Sequence, residues 1–334
     1  VEESVPLVLT TQFGVDISFT SAELGLSIDD FSNRFIKPAI ATVANKIDYD
    51  GLGLYAQVAN SVGTAGTIPT DEVPYLDAGV ALDDNMAPRD NQRAVVISPR
   101  MQAKLVSSLK GLFNSTEKIA DQYETGTMGL GLGFKFSMDQ NVRTHTYGAL
   151  GGAPAVGGAN QVGSTLLVTG FTAAAAPRLK AGDEFTIATV YSVNPMNGQS
   201  TTVLQKFTVT SDVSSAADGS ASIPISPPIY VSPNPRRTVT NSPGAGAPLT
   251  LLGTAASTAV VGLAFHRDAF TLACADLPLP NGVDQASRVS DKQLGLSIRM
   301  VRAYDINTDA FPCRLDILYG WKAIRPELAC RILS

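Results

Sequence analysis

Residues 315–333, LDILYGWKAIRPELACRIL, decide how the rest of the chain is read. The first half alternates. Leu315, Ile317, Tyr319 and Trp321 fall on one side of an extended chain. Asp316, Leu318, Gly320 and Lys322 fall on the other, because side chains switch face at every residue of a strand. The pattern predicts a half-buried strand with Asp316 and Lys322 on a solvated face. Pro326 has no N–H to give a sheet and breaks the run. Residues 329–333 then resume as a closing strand. The expected ending is hairpin-like, carries the single Trp of the chain and is tied into a core.

Upstream, residues 5–19 keep apolar side chains at odd positions (Leu7, Leu9, Phe13, Val15, Ile17, Phe19) and read as extended. Ser27 and Asp30 form an S-x-x-D helix start. From there Phe31, Phe35, Ile36, Ile40, Val43, Ala44 and Ile47 recur at three- and four-residue steps, predicting a long amphipathic helix over residues 28–58. Pro38 removes one internal hydrogen bond and predicts a kink; Gly51 and Gly53 weaken the last turns. These three are the candidate hinge. A Gly/Thr/Pro loop over 61–74 leads into a mixed segment. It holds a strand at 93–97, a helix over 101–110 begun by Pro99, another helix over 116–123 and a strand at 134–138.

The pattern changes at two Gly/Ala/Pro segments, 148–160 and 241–249, which have linker composition. Between them no helical period survives. Short alternating runs at 165–171, 185–193, 203–210 and 221–225, separated by turn signals such as Asn197-Gly198, predict a small all-β barrel or sandwich spliced into a mixed host. The host resumes with strands near 259–264, 270–275 and 294–304. The expected domains are 1–150 as the first part of a core, 151–248 as an inserted β-barrel, and 249–334 as the second part of the core. The fold class is α+β.

Composition narrows the function. With 334 residues, 44% of them hydrophobic, the chain is long enough for two domains. Only 16% are charged, against roughly a quarter in an average domain. That fits a surface meant to be covered, since interface cores are poor in charge, although Ala and Gly dilute charge as well. The net charge of -5 argues against a dedicated nucleic-acid binder, which carries a basic face. Cys274, Cys313 and Cys330 lie in apolar contexts without paired spacing and read as buried thiols. No apolar run approaches the roughly 18 residues of a membrane span, and no charged-then-apolar leader opens the chain. Val1 stands first in place of Met, so residues are expected to precede it.

The chemistry-bearing motifs are sparse. Residues 51–56, GLGLYA, match G-x-G-x-x-A but follow a helix, where a dinucleotide site needs a preceding strand. The glycines at 129, 131 and 133 lack the Lys-Ser/Thr of a phosphate loop. Of the two histidines, His145 has no ligand-spaced partner and His266 only Asp268, and two residues do not hold a metal. No G-x-S-x-G turn presents a nucleophile. Arg267 and Asp268 read as polar contacts of a structural turn. Arg299, Arg302, Asp305, Arg314 and Asp316 read as cross-strand ion pairs on a solvated sheet face. No catalytic residue, cofactor or metal site is expected.

Five phrases carry a family likeness in order: LKAGDEFTIATVYSVNP (179–195), LQKFTVT (204–210), VGLAFHRDAFTLACADLPLP (261–280), LSIRMVRAYD (296–305) and RLDILYG…RPEL..RIL at the end. Together they resemble the major capsid (coat) proteins of tailed double-stranded-DNA bacteriophages, in the short-tailed enterobacterial branch that carries an inserted β-barrel. The resemblance covers nearly the whole chain. It implies the tailed-phage/herpesvirus capsid fold, with a spine helix over 28–58 and peripheral and axial domains. It implies a structural protein that self-assembles through hexamers and pentamers into an icosahedral head. Scaffolding protein, a portal protein and packaged double-stranded DNA, enclosed without sequence-specific binding, are the implied partners. The implied location is the virion, after assembly in the bacterial host cytoplasm, with no membrane and no enzymatic activity. Set against that family, the N-terminal arm and most of the extended loop are expected to be absent from this sequence, and the loop protruding from the barrel (here 163–180) to be short or missing. The expected intersubunit surfaces are the low-charge flanks of the spine helix and residues 75–93, with Asp83, Arg89 and Arg93 as candidate contacts. The alternative is a non-enzymatic virion surface component, adhesin or tail protein carrying a β domain, which leaves the long helix and mixed host unexplained.

Overall fold

The computed structural model describes residues 4–26, 35–108, 129–173, 177–291 and 295–334. The expected helix start at Ser27 and Asp30 and the helix over 116–123 lie outside these residues. In chain order the elements begin with β1 (Thr11–Thr20), α1 (Ser21–Leu26), α2 (Lys37–Leu52), β2 (Ser61–Gly63), α3 (Val73–Asp84), β3 (Arg93–Ile97) and α4 (Pro99–Ser108). Next come β4 (Leu130–Gly131), β5 (Phe134–Met138), β6 (Thr144–Thr146), β7 (Gly152–Val156), β8 (Gly163–Phe171), β9 (Pro177–Leu179) and β10 (Glu184–Val193). They continue with β11 (Ser200–Val209), β12 (Val213–Ser214), β13 (Ala221–Ile229), β14 (Leu249–Leu252) and β15 (Thr258–His266). The last are β16 (Phe270–Ala275), β17 (Gln285–Asp291), β18 (Leu296–Arg302), β19 (Ala310–Ala323) and β20 (Ala329–Leu333). The chain forms two compact units, residues 1–51 with 270–324 and residues 52–269 with 325–334.

The first unit is built on β19. All ten residues of β1 pair antiparallel with it, from Thr11↔Tyr319 to Thr20↔Ala310. Its other edge is shared by β18 (Arg299↔Asp316) and β16 (Phe270↔Ala323), with β17 beyond β18. The alternation of Leu315, Ile317 and Tyr319 is a buried face, and Ile317 and Tyr319 pack on Val43 and Ile47 of α2. The opposite face is covered from Asp316 to Gly320, contrary to the expected solvated one, with Asp316 0% exposed, while Arg314 on the same side stays exposed. A Cβ at Gly320 would stand 2.5 Å from the carbonyl oxygen of Val8, so the residues before β1 cross that face. Alternation reports that two faces differ, not that one is wet.

In α2, Pro38 is the second residue. A π turn at Phe35 and Ile36 precedes it. The partner carbonyl a mid-helix bond would need falls among undescribed residues, so the expected kink does too. The run beyond is α-helical to Leu52 and 3-10 over Gly53–Gln57. Gly51 is required by a close approach: its Cβ would meet the Trp321 ring at 2.7 Å, while the indole N–H donates to the Ile47 carbonyl at 2.9 Å.

The second unit holds two large sheets and a two-stranded one. One has the order β2-β20-β15-β3-β5-β4, with β6 also on β15, and α3 packs on β2 and β20. Here the hairpin expectation fails. The 3-10 turn Pro326–Leu328 passes the chain on, and β20 lies between β2 (parallel) and β15 (antiparallel), not against β19. All five residues of β20 are buried. The other sheet, β14-β10-β11-β13-β8-β7, with the pair β9-β12, forms the β-barrel. Its core includes Leu166, Val168, Phe185, Ile187, Phe207 and Ile223.

The two segments of linker composition are not loose. The first supplies β7, an edge strand that tolerates Pro154. It bonds to the second: Val156 N donates to Ala247 O at 2.9 Å and Gly246 N to Val156 O at 2.8 Å. The helix α3 falls where only a mixed segment was expected. Its inner residues Tyr75, Ala78 and Leu82 are buried, while Val73, Leu76 and Val80 lie outward. Apolar residues on both sides leave no single helical stripe to read.

Candidate assembly surfaces and the barrel junction

The outward side of α3 is 52% exposed at Val73, 45% at Leu76 and 56% at Val80. A helix apolar on both sides offers two faces for cover, and among the described residues of the unit the inner one is supplied, where Tyr75 meets the Phe136 ring at 5.9 Å. At its C-terminal end the three candidate contact residues come together. Asp83 accepts from Arg93 Nη2 at 2.7 Å and from Arg89 Nε at 3.0 Å, and its second oxygen is paired with Arg89 Nη2. Hydrogen bonding to Arg89 holds the Asp83 carboxyl at about 2, with burial opposing and Arg93 adding to the effect. Arg89 lies outside, whereas Arg93 is 5% exposed and also donates to the carbonyls of Ala87 and Pro88 at 2.5 and 3.0 Å. The triplet therefore fixes the turn that ends α3, with Arg89 as its accessible member.

The candidate hinge residues are separated. Pro38 opens α2, and the division between the two units falls between Gly51 and Leu52. Gly53 begins the 3-10 turn, where a Cβ would stand 3.0 Å from Arg143 Nη2.

Sequence reading missed a buried polar junction between barrel and core in the second unit. Arg331 of β20 is 1% exposed and Glu184 of β10 is 3% exposed, and they form an ion pair. Arg331 also donates to Gly182 O at 2.5 Å and Thr208 Oγ1 at 3.3 Å. Ser61 of β2 donates to Glu184 at 2.5 Å, and Lys206 Nζ donates to Ser61 O at 2.7 Å. Arg331 Nε and Glu184 Oε1 nonetheless lack a well-aligned hydrogen-bond partner. Beside them His145 Nε2 faces Asp183 Oδ1 at 2.8 Å, both nearly fully buried. The Tyr55 hydroxyl lies 3.1 Å from His145 Nδ1, and Gly148 N donates to Asp183 at 3.1 Å. Gly182, at φ +99°, is required here because a Cβ would press on His145 at 3.1 Å. Burial pushes the Tyr147 hydroxyl and the Cys330 thiol each up to about 12. A His-Asp pair with a tyrosine could relay protons, but each member is consumed by the packing of barrel on core. No spacing signal could have found it, because its members lie 90, 38 and 123 residues from their partners.

The remaining polar residues also serve structure. His266 faces Asp90 at 3.2 Å, Asp268 N donates to His266 at 3.3 Å and Arg267 donates to Gln92 at 3.1 Å, as a structural turn requires. The Arg299–Asp316 pair is cross-strand, at 2.9 and 2.6 Å, but buried and not solvated, and Gln12 donates to the same carboxylate at 2.9 Å. Burial pushes the Asp316 carboxyl up; hydrogen bonds from Arg299 and Gln12 and the charges of Arg299 and Arg314 overcome this and hold it below the usual range. Asp305 instead caps a local turn through Asn307 and Thr308. Among the described residues no group of three or more His, Cys, Asp or Glu could hold a metal ion, and no helix is long and apolar enough to cross a membrane.

The family model described as P22 coat protein, gene protein 5, matches residues 14–332. No curated protein matches the chain. Among solved structures, one from Mycobacterium phage Che8 is similar at 13% identity and a TM-score of 0.44, covering 98% of this chain and 72% of that one. The capsid structure of the cyanophage P-SCSP1u is similar at 10% identity and a TM-score of 0.44, with 98% and 72% covered. The CUS-3 coat protein I-domain is similar at 22% identity and a TM-score of 0.24, covering 32% of this chain and all of that one.

Proposed function

The chain belongs to the P22 coat protein family, and from that membership we propose how it serves as a major capsid protein. Copies join through hexamers and pentamers into an icosahedral head that encloses double-stranded DNA without reading its sequence. The match over residues 14–332 carries this reading, because it spans both compact units. A net charge of -5 suits a container that holds DNA without gripping it. Scaffolding protein during assembly, a portal protein and the bacterial host cytoplasm as the site of assembly complete the proposal. The role is structural and non-enzymatic.

Assembly uses the spine-helix flanks and residues 75–93, where α3 offers its outward apolar side. Asp83, Arg89 and Arg93 hold the end of that helix in shape, and Arg89, though bound to Asp83, is the member exposed to a neighbour. Pro38, Gly51 and Gly53 are the points at which copies adjust to slightly different surroundings. The barrel, 151–248 extended to residue 252 by β14, is a domain with its own core. Individually weak contacts become strong by multiplicity once a shell closes. Negative-stain electron microscopy of the full chain co-expressed with a scaffolding protein tests the reading. Discrete round shells are expected. A product that stays monomeric and binds glycans would instead favour an adhesin.

A further inference from the structure

Resting on the capsid reading above, we propose that the outer side of α3 in one copy docks on the outer side of α4 in the next. The occupant follows from charge. On α3 the exposed Val73, Leu76 and Val80 are flanked by the exposed Asp77 and Asp84. Neither carboxylate has a charged or hydrogen-bonded partner among the described residues. Pairing two α3 faces would set these acids against their own copies, and like charges across an interface oppose association. The mate is therefore a different, basic patch.

On α4, Met101, Gln102 and Leu105 are buried, and Arg100, Ala103, Lys104 and Ser107 are exposed. Arg100 and Lys104 share one helix side without an acidic partner among the described residues. Their Cα atoms are about 6 Å apart along the axis, as are those of Leu76 and Val80, at 1.5 Å per residue. The two aliphatic stems can lie along the α3 stripe while their charged ends reach Asp77 and Asp84. Ala103 leaves room between them. A contact between two different patches of one chain adds copies head to tail, the arrangement from which a ring is built when the rotation between copies closes.

The test reads particle yield by sedimentation and electron microscopy of full-length chains expressed with scaffolding protein. D77K/D84K and R100E/K104E are each expected to lower the yield about tenfold or more, since like charges across an interface oppose association. The combined four-residue swap is expected to recover it to within about threefold of wild type. Either pair assembling like wild type would overturn the docking, as would a swap that stays defective while its melting temperature matches wild type. A second readout does not depend on charge. V80C/A103C, oxidised after assembly, is expected to give a covalent ladder beyond dimers, absent from either single variant. No ladder, or one that stops at dimers, would overturn the head-to-tail contact. A wild-type chain that forms no shells sinks the capsid reading itself, whereas wild-type shells with indifferent variants sink the docking alone.

Discussion

The β19 and β20 strands follow one another within residues 310–333, carry one buried charge each, and hold those charges in opposite ways. Asp316 takes its partners from its own sheet: Arg299 is its cross-strand neighbour, and Gln12 sits on the strand along the other edge. Arg331 finds none in its own sheet and reaches into the barrel for Glu184, Gly182 and Thr208. The first arrangement specifies register, since slipping β19 by one residue would strand a buried carboxylate. The second specifies docking of one layer on another. It is also less complete, because Arg331 Nε and Glu184 Oε1 have no well-aligned partner.

The comparison breaks most visibly at Arg331. Arg331→Met leaves Glu184 buried without its cation and is expected to cost about 3–5 kcal/mol, read by urea unfolding or as loss of soluble protein. Arg331→Met with Glu184→Leu, which removes both charges, is expected to recover most of that loss. If the double variant is as weak as the single one, docking depends on shape and not on the pair.

Asp316→Asn should cost less, about 1–3 kcal/mol, because two hydrogen-bonded neighbours remain to hold β19 in place. Its pH signature sharpens the contrast. The folded carboxyl lies below its unfolded value, so its contribution is complete above the ordinary range near pH 4 and fades as the pH falls further. Melting curves of wild type should lose stability in that window, and those of D316N should lose less. Asp83, held at about 2, acts in the same direction from pH 4 down to 2. Being partly exposed, D83N should lower the melting temperature by only about 2–4 °C.

The smallest effect is chemical. Cys330 on β20 is fully buried and its thiol is pushed up to about 12, while Cys274 is part-exposed. Thiol-alkylating reagent should therefore label Cys274 in the folded chain and Cys330 only after unfolding. Equal labelling rates would mean that β20 leaves its sheet readily.

What could be read from sequence was whatever depends on near neighbours. The β19 alternation, the strands at 93–97 and 134–138, and the four barrel runs rest on period two and appear in the structure as β19, β3, β5, β8, β10, β11 and β13. Distant cover was not legible. Nothing in LDILYG says that residues near Val8 close its second face, or that Pro326 hands the next strand to a different sheet. Gly- and Ala-rich composition imitated linkers at 148–160, where the chain builds an edge strand. α3 escaped notice for the reason that makes it of interest: an apolar outer side hides the period of the inner one.

The first strand of the barrel bonds to the turn that leads into its last strand, through Val156 with Ala247 and Gly246. On the domain organisation proposed above, that would make it a genetic cassette. A recombination event entering near codon 150 and leaving near codon 252 would exchange the whole module with little disturbance to the backbone around it. Either compact unit, being assembled from separated stretches of chain, could not be traded by one such exchange. A barrel exchanged in this way would have to bring a carboxylate to meet Arg331.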